Sequence, residues 1–488
     1  MKNKFTKILS LALVSILCLG VFTACPGDED GAKLSTEVYE CAVIWVGNTA
    51  GTTGALANIG VPFNLGINAA FAEYNENGGF NGRTVALKHY DDKGVAGNSG
   101  TLMEKLIFED EVFAIVGNYG GYALNVNLEI LKENCVPMIY AAAGIDALYN
   151  DNATTDGDRA IFPIQPLNKT EGRSLLVRAF ANAVAEDGVT LTGGLGATKV
   201  GVIANQLEAS QGILRGIKLE AESLPASKKG NIVYQEVSGS DFGAASTSIV
   251  SEGCDTVIVT VTGDDFVAAL SALQQANFHG NVLTSYNNAD AGVLNGGDGQ
   301  MTEAGKAIMA NMTIYAQGWL DVTSTTYVYN EDTPLFRTYK MQNQSLYGQG
   351  VVGFTESYWK VAEAIFNYGY TVDKGTAWGM SYNSYALAGY IAGNLFCEAL
   401  EALEASGKDL TRANLVEIME TTELPVAMAG TISYANGTRT GVEKFAVSVF
   451  VDTADEIFGE NATANHVAAS AAFSGLQTID ELRQYITE

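Results

Sequence analysis

One stretch constrains the chain more than any other, residues 44–92: IWVGNTAGTTGALANIGVPFNLGINAAFAEYNENGGFNGRTVALKHYDD. An apolar run over 41–46 breaks into a loop of small residues, 47–54, where backbone N–H groups can face a ligand without side chains in the way. From 60 to 76 the residues Val61, Phe63, Leu65, Ile67, Ala70, Phe71 and Tyr74 recur at helical spacing, and Gly78 and Gly79 stop the pattern. A second extended run, 84–90, ends on Asp91 and Asp92. Strand, loop, helix, turn and strand form a βαβ unit, whose ligand crevice lies beyond the carboxyl ends of its strands.

The same alternation continues along the chain. Helical patterns over 97–108 and 122–133 alternate with short apolar runs at 113–116 and 136–140. Beyond a polar turn at 151–158, helices are predicted over 169–185, 210–224, 242–251 and 264–276, and strands over 199–204, 231–237, 256–261 and 282–285. Small-residue or polar loops follow the strands at 118–121, 141–144, 205–210, 262–265 and 286–290. Loops of this kind at helix starts offer free N–H groups that suit a carboxylate or another acceptor-rich ligand.

Thr53-Gly54, Ala57, Gly60, Asn75, the run 78–83 (GGFNGR) and the pair Asp91-Asp92 resemble the opening of the leucine/isoleucine/valine-binding type of extracellular solute-binding proteins, which feed ABC transporters. The resemblance covers about residues 40–456. It implies an α/β, two-lobed type I periplasmic-binding-protein fold, each lobe a parallel sheet flanked by helices, with three crossing segments between them. On that reading lobe 1 is 38–164 plus 290–428, with an insertion at 348–383, and lobe 2 is 165–289 plus 429–456. Within the third section a strand region is expected at 308–319, and helices at 334–347, 357–366 and 385–403. Residues 457–488 read as a C-terminal extension, where Thr478 and Glu481 fit a capping box.

The implied function is capture of a small polar solute, by resemblance a branched-chain type of amino acid, for a membrane permease. The candidate cleft residues are Thr53, Asn118, Tyr119, Gly120, Gly121, Ala141, Ala142 and Ala143 in lobe 1, and Gln206, Ser210, Thr262, Asp264, Tyr286 and Asn287 in lobe 2. In the family the first-lobe loops hold the ligand's carboxylate and ammonium with hydroxyl side chains as well as backbone, and an acidic residue of the second lobe pairs with the ammonium. This chain departs from that pattern: the hydroxyls are missing from 118–121 and 141–144, and Tyr286, Asn287 and Asn288 are neutral. A buried ammonium left unpaired costs several kcal/mol, so an amino-acid ligand needs Asp264, Asp265 or Asp290. Tyr119, Tyr122, Tyr140 and Tyr286, beside strand ends, equally suit sugars, nucleosides or aromatic acids.

The first 24 residues have the pattern of a lipoprotein signal peptide. Lys2, Lys4 and Lys7 precede an apolar run over 8–22, too short for a comfortable membrane span, and Phe22-Thr23-Ala24-Cys25 resembles a bacterial lipoprotein cleavage site with Cys25 as the lipidated residue. Residues 25–37 are polar and read as a tether. The expected location is therefore extracytoplasmic, lipid-anchored to a bacterial membrane.

Composition narrows the partners. The formal charge of −27, which becomes −30 without the three signal lysines, repels phosphate backbones and argues against nucleic acid. Cys41, Cys135, Cys254 and Cys397 lack CxxC spacing, so neither a metal nor a cofactor is expected, and disulfide pairing stays open. His89, His279 and His466 stand far apart without a nucleophile motif, Gly194-Leu195-Gly196 precedes a strand instead of following one, and 299–306 is one residue too long for a phosphate loop. The expectation is a monomeric binding protein, not an enzyme; a receptor-docked sensor, or less favourably a secreted enzyme on the same lobes, is the alternative.

Overall fold

The computed structural model describes residues 32–140, 143–297, 300–322, 355–381, 383–452, 466 and 468–487. The first sheet is wholly parallel, in the order β2-β1-β3-β4-β5: β1 Val43–Ala50, β2 Thr84–Asp91, β3 Ala114–Val116, β4 Met138–Ile139 and β5 Ile161–Phe162. Helices α1 Ala57–Glu76, α2 Ala96–Phe108, α3 Gly121–Glu133 and the short α4 Asp156–Arg159 join these strands. β1 and β3 are buried almost throughout, as strands covered by helices on both faces must be.

The second sheet has the order β14-β13-β10-β9-β8-β6-β7. Its parallel strands are β6 Val200–Ala204, β7 Ile232–Glu236, β8 Thr256–Val259, β9 Gly280–Thr284 and β10 Met312–Gly318, while β13 Lys444–Asp452 and β14 Ala468–Thr478 add an antiparallel edge. Around it lie α5 Asn168–Phe180, α6 Glu208–Ala221, α7 Ala226–Lys229, α8 Gly243–Ser251, α9 Asp264–Gln275 and α10 Glu303–Asn311. The chain then returns to the first lobe through α11 Glu356–Val372, α12 Ala377–Ser381, α13 Ser384–Ala405, α14 Arg412–Thr421 and the hairpin of β11 Leu424–Val426 with β12 Gly430–Ile432.

Three expectations need correction. The return to lobe 1 does not begin at 290, because α10 and β10 add one more βα repeat to the second sheet, β10 pairing in parallel with β9. The helix after the first crossing stops at Phe180, not 185: Ala181 is extended (φ −59°, ψ 133°), and Val184 bridges Leu191 in a short excursion. Residues 468–487 are not an appendage, since β14 lies along β13 and the short α15 Ile479–Arg483 buries Ile479 and Leu482 against Val177 of α5. The expected Thr478–Glu481 capping box starts that helix. The expected helix at 334–347 and residues 348–354 of the expected insertion lie outside the described residues, as do Cys25 and the tether up to residue 31.

Two chain ends of the first lobe meet where α1 packs on α13. A Cβ at Gly389 would overlap the carbonyl of Phe63, so the backbones touch there, and Phe71 packs edge-on against Phe396 at 6.2 Å. The first and third crossings are stitched together: Val442 N–H donates to the Ile164 carbonyl at 2.7 Å, and Leu167 N–H to the Thr440 carbonyl at 3.4 Å. Beside them Arg439, 1% exposed, sits with its guanidinium carbon 4.6 Å from the Phe162 ring and 5.4 Å from the Tyr434 ring, and donates to Glu420 Oε1 at 2.7 Å. Among the described residues no helix is long and apolar enough to cross a membrane, and no disulfide joins Cys41, Cys135, Cys254 and Cys397.

Candidate ligand-binding cleft

The carboxyl ends of both parallel sheets turn toward the crossings. On the lobe 1 side the 51–54 loop is tied to the end of β2. Thr53 Oγ1 donates to Asp91 Oδ2 at 2.5 Å, and the N–H groups of Thr52 and Lys93 donate to Asp91 Oδ1 at 2.9 and 3.0 Å. Burial pushes the Asp91 carboxyl up, but the Thr53 hydroxyl and the Lys93, Thr52 and Thr53 amides outweigh it and bring it down to about 2. His89 joins the loop to the strand core, Nε2 lying 3.0 Å from Thr52 Oγ1 and Nδ1 2.9 Å from Asn48 Oδ1. Desolvation keeps its imidazole below its usual value despite Asp91 and Asp92. Thr53 is thus exposed at the rim, with its hydroxyl already engaged.

After β3 the expected residues part ways. Asn118 is fully buried, and its Oδ1 accepts the Thr49 hydroxyl at 3.2 Å while its Nδ2 has no hydrogen-bond partner among the described residues. Tyr119 packs in an aromatic group: its ring is 5.9 Å from Phe63 and 6.3 Å from Tyr385, edge-on to the latter at 87°. Burial pushes the Tyr119 hydroxyl up to about 12. Gly120, at φ +90°, turns the chain into α3, and no atom comes closer than 3.8 Å to where a Cβ of Gly121 would stand. Tyr122 is directed away, its hydroxyl donating to Asp92 Oδ1 at 2.9 Å. Ala143 packs partly buried on the lobe core, whereas Ala141 and Ala142 lie outside the described residues.

The floor joins the lobes. Tyr140, held at φ +59°, where non-glycine residues are uncommon, donates its hydroxyl to Gln165 Oε1 at 2.9 Å. Gln165 Nε2 donates to the Tyr286 hydroxyl at 3.3 Å, and that hydroxyl donates to the Pro166 carbonyl at 3.3 Å. The Trp319 ring, just beyond β10, stands 6.5 Å from Tyr140. A further contact between the lobes is the ion pair of Asp146 with Arg215 of α6 at 2.5 Å.

On the lobe 2 side Ser210 is buried; its hydroxyl accepts the Asn205 N–H at 3.0 Å and lies 2.6 Å from Thr260 Oγ1. Gln206 and Asn287 are exposed, and Thr262 is half-buried before the left-handed Gly263 at φ +65°. Of the three acids that an ammonium requires, Asp265 accepts from Asn205 Nδ2 at 2.8 Å, Asp290 caps the turn at Gly292, and Asp264 is exposed in the first turn of α9. Nothing in the sequence pattern assigns Trp319, Tyr385 or Phe63 to this region. Gln165 carries a faint signal, the one polar residue in the otherwise apolar run 160–166.

Two α/β lobes, one on a wholly parallel sheet and the other on a parallel sheet with an antiparallel edge, are joined by three crossings, beside which the rings of Tyr140, Trp319 and Tyr286 gather. The chain belongs to the periplasmic binding protein family, whose model matches residues 43–455. Solved structures share its fold: an ABC transporter substrate-binding protein from Sphaerobacter thermophilus (18% identity, 89% of this chain and 98% of that one, TM-score 0.58), a leucine binding protein, LivK, from Thermotoga maritima (16%, 90% and 99%, 0.51), and a solute binding protein of an ABC transporter from Rhodopseudomonas palustris in complex with 3,4-dihydroxybenzoic acid (15%, 90% and 99%, 0.54). No curated protein sequence matches the chain.

Proposed function

We propose that this protein is the solute-binding component of an ABC importer, working outside the cytoplasm, and that it captures one small solute between its lobes for delivery to a membrane permease. The observation that carries the reading is the chain of contacts Tyr140–Gln165–Tyr286, which ties the strand ends of both lobes at the floor of one crevice. A solute touching both walls stabilises the closed form by contacts that the open form lacks, and the permease reads that form.

Two solute classes compete. Family resemblance favours an amino acid of the branched-chain type, and then Asp264 is the acid left to meet the ammonium. The edge-on pair Tyr119 and Tyr385 favours a solute with a ring, such as a small aromatic acid. A thermal-shift screen of the soluble chain starting after Cys25, against amino acids, aromatic carboxylates, sugars and nucleosides, separates them. A solute at 100 times its dissociation constant adds about 2.7 kcal/mol, and a panel in which no class raises the melt would sink the importer reading.

The lipid anchor is part of the same proposal: Cys25 carries the lipid, and the monomeric domain is held at the membrane by the tether. Cys25→Ala should abolish lipid labelling and release the protein from the membrane fraction; unchanged retention refutes the anchor.

A further inference from the structure

Glu171 lies in the first turn of α5, where the first crossing enters the second lobe, and is fully buried. Its Oε1 accepts the backbone N–H of Tyr286 at 2.8 Å, and its Oε2 accepts the Ser285 hydroxyl at 3.0 Å. Gln317, near the end of β10 from which the second crossing departs, approaches the Glu171 backbone carbonyl through Nε2 at 3.5 Å and accepts the Ser174 hydroxyl at 2.8 Å. The neighbouring Thr170 donates to the Thr440 carbonyl of the third crossing at 2.9 Å. All three crossings therefore meet the second lobe within the first turn of α5, at Glu171 and its neighbour Thr170.

A carboxylate in a dry interior ordinarily has a cation beside it, yet the donors here are neutral. The bases of its own helix are occupied elsewhere: Lys169 lies over the Tyr149 ring, Arg173 pairs with Glu220, and Arg178 bonds the carbonyls of Gly193 and Phe445. The titratable group facing Glu171 from the β9 loop is Tyr286. Burial pushes the Glu171 carboxyl up to about 7, against the pull of the Tyr286 amide, Ser285 and Gln317.

We propose that Glu171 is a positioning residue for solute capture, setting how the 285–288 loop presents Tyr286 to Gln165 and letting proton concentration bias the hinge. This rests on the reading that the cleft captures a solute. Tyr286 answers to Glu171 because its amide is bonded to the carboxyl group while its hydroxyl is bonded into the first crossing. The sign follows from linkage. The packed junction holds the proton more tightly than a hydrated one, so it is favoured below about 7, and ionisation above that favours hinge states that let water reach the carboxylate.

Hydrogen exchange read by mass spectrometry on the full chain, without solute, tests this over a series from about pH 6 to about pH 8.5 after correction for intrinsic rates. In the wild type, protection of a peptide over residues 283–290 should fall about tenfold more than that of a peptide in α13 as pH rises. Glu171→Gln should remove that difference. Ser285→Ala, which deletes a donor to the ionised form, should move the midpoint to higher pH. A flat wild-type profile, or the same pH dependence in Glu171→Gln, overturns the proposal; should Glu171→Gln fail to fold, an unmoved midpoint in Ser285→Ala overturns it. No solute enters these measurements, so their failure leaves the capture reading to stand or fall on the thermal-shift screen.

Discussion

Gln165 and Tyr286 are joined side chain to side chain, Nε2 to hydroxyl at 3.3 Å, and this bond ties the first crossing to the strand ends of the second lobe. Because Gln165 also accepts from Tyr140, one amide side chain serves both walls of the cleft. Gln165→Leu fills similar space but takes the acceptor from the Tyr140 hydroxyl and a donor from the Tyr286 hydroxyl, which keeps its bond to the Pro166 carbonyl. It should weaken binding of whichever amino acid or aromatic acid raises the melt by about tenfold, near 1–2 kcal/mol, with calorimetric titration as the readout. Unaltered affinity would exclude this floor from the binding site.

Arg439 pins the third crossing to lobe 1 from a site that water barely reaches. Removing it leaves Glu420 with Arg159 alone and empties the space between Phe162 and Tyr434. Arg439→Met should cost about 3–5 kcal/mol in urea unfolding. Arg439→Lys should recover little, because an ammonium cannot reach Glu420 and the Arg159 carbonyl while stacking on two rings.

Asp91 gives the 51–54 loop an acid sensitivity of the opposite sense to that of Glu171. Its folded value, about 2, is depressed, so its stabilising contribution is present above the ordinary carboxylate range and is lost as pH falls through about 2. Asp91→Asn should flatten the acid limb of the melting curve between about pH 4 and about pH 2 and raise amide exchange at Thr52 and Thr53. An unchanged acid limb would mean that the loop is held by other bonds.

Two glycine substitutions separate close packing from chain entropy. Gly389→Ala drives a methyl into the Phe63 carbonyl and should destabilise by about 1–3 kcal/mol. Gly100→Ala, inside α2 with Val126 no nearer than 3.9 Å, should stabilise by about 0.5–1 kcal/mol. Chemical denaturation of both variants checks the contrast.

The βαβ units were legible because their signals are local: apolar runs, helical spacing and glycine stops lie within a few residues of what they specify. The loops at 118–121 and 286–290 were legible in the same way. The burial of Asn118 and Ser210 was not legible, because the hydroxyls they bond, Thr49 and Thr260, are far away in the chain. Tyr385 was equally hidden, because only tertiary packing brings it to Tyr119. The lobe boundary at 290 was misplaced for a related reason: the 303–318 helix and strand look alike in either sheet, and the pairing of β10 with β9 decides. β14, rich in alanine and serine, has a single β-branched residue, Thr478, at its end and is held as a strand by its partner β13.

The packing of α1 against α13 dictates when this protein can fold. The β1–α1–β2 unit is synthesised early, but the apolar face of α1 is covered by a helix at residues 384–405, so the leading lobe cannot finish its core until most of the chain exists. Such distant pairings make folding slow and leave the nascent half exposed to aggregation. The same delay keeps the polypeptide loose while it is being made, the condition in which a chain is threaded through a narrow channel. A fragment ending before residue 384 should accordingly emerge as a sticky, incompletely ordered species and not as a free-standing lobe.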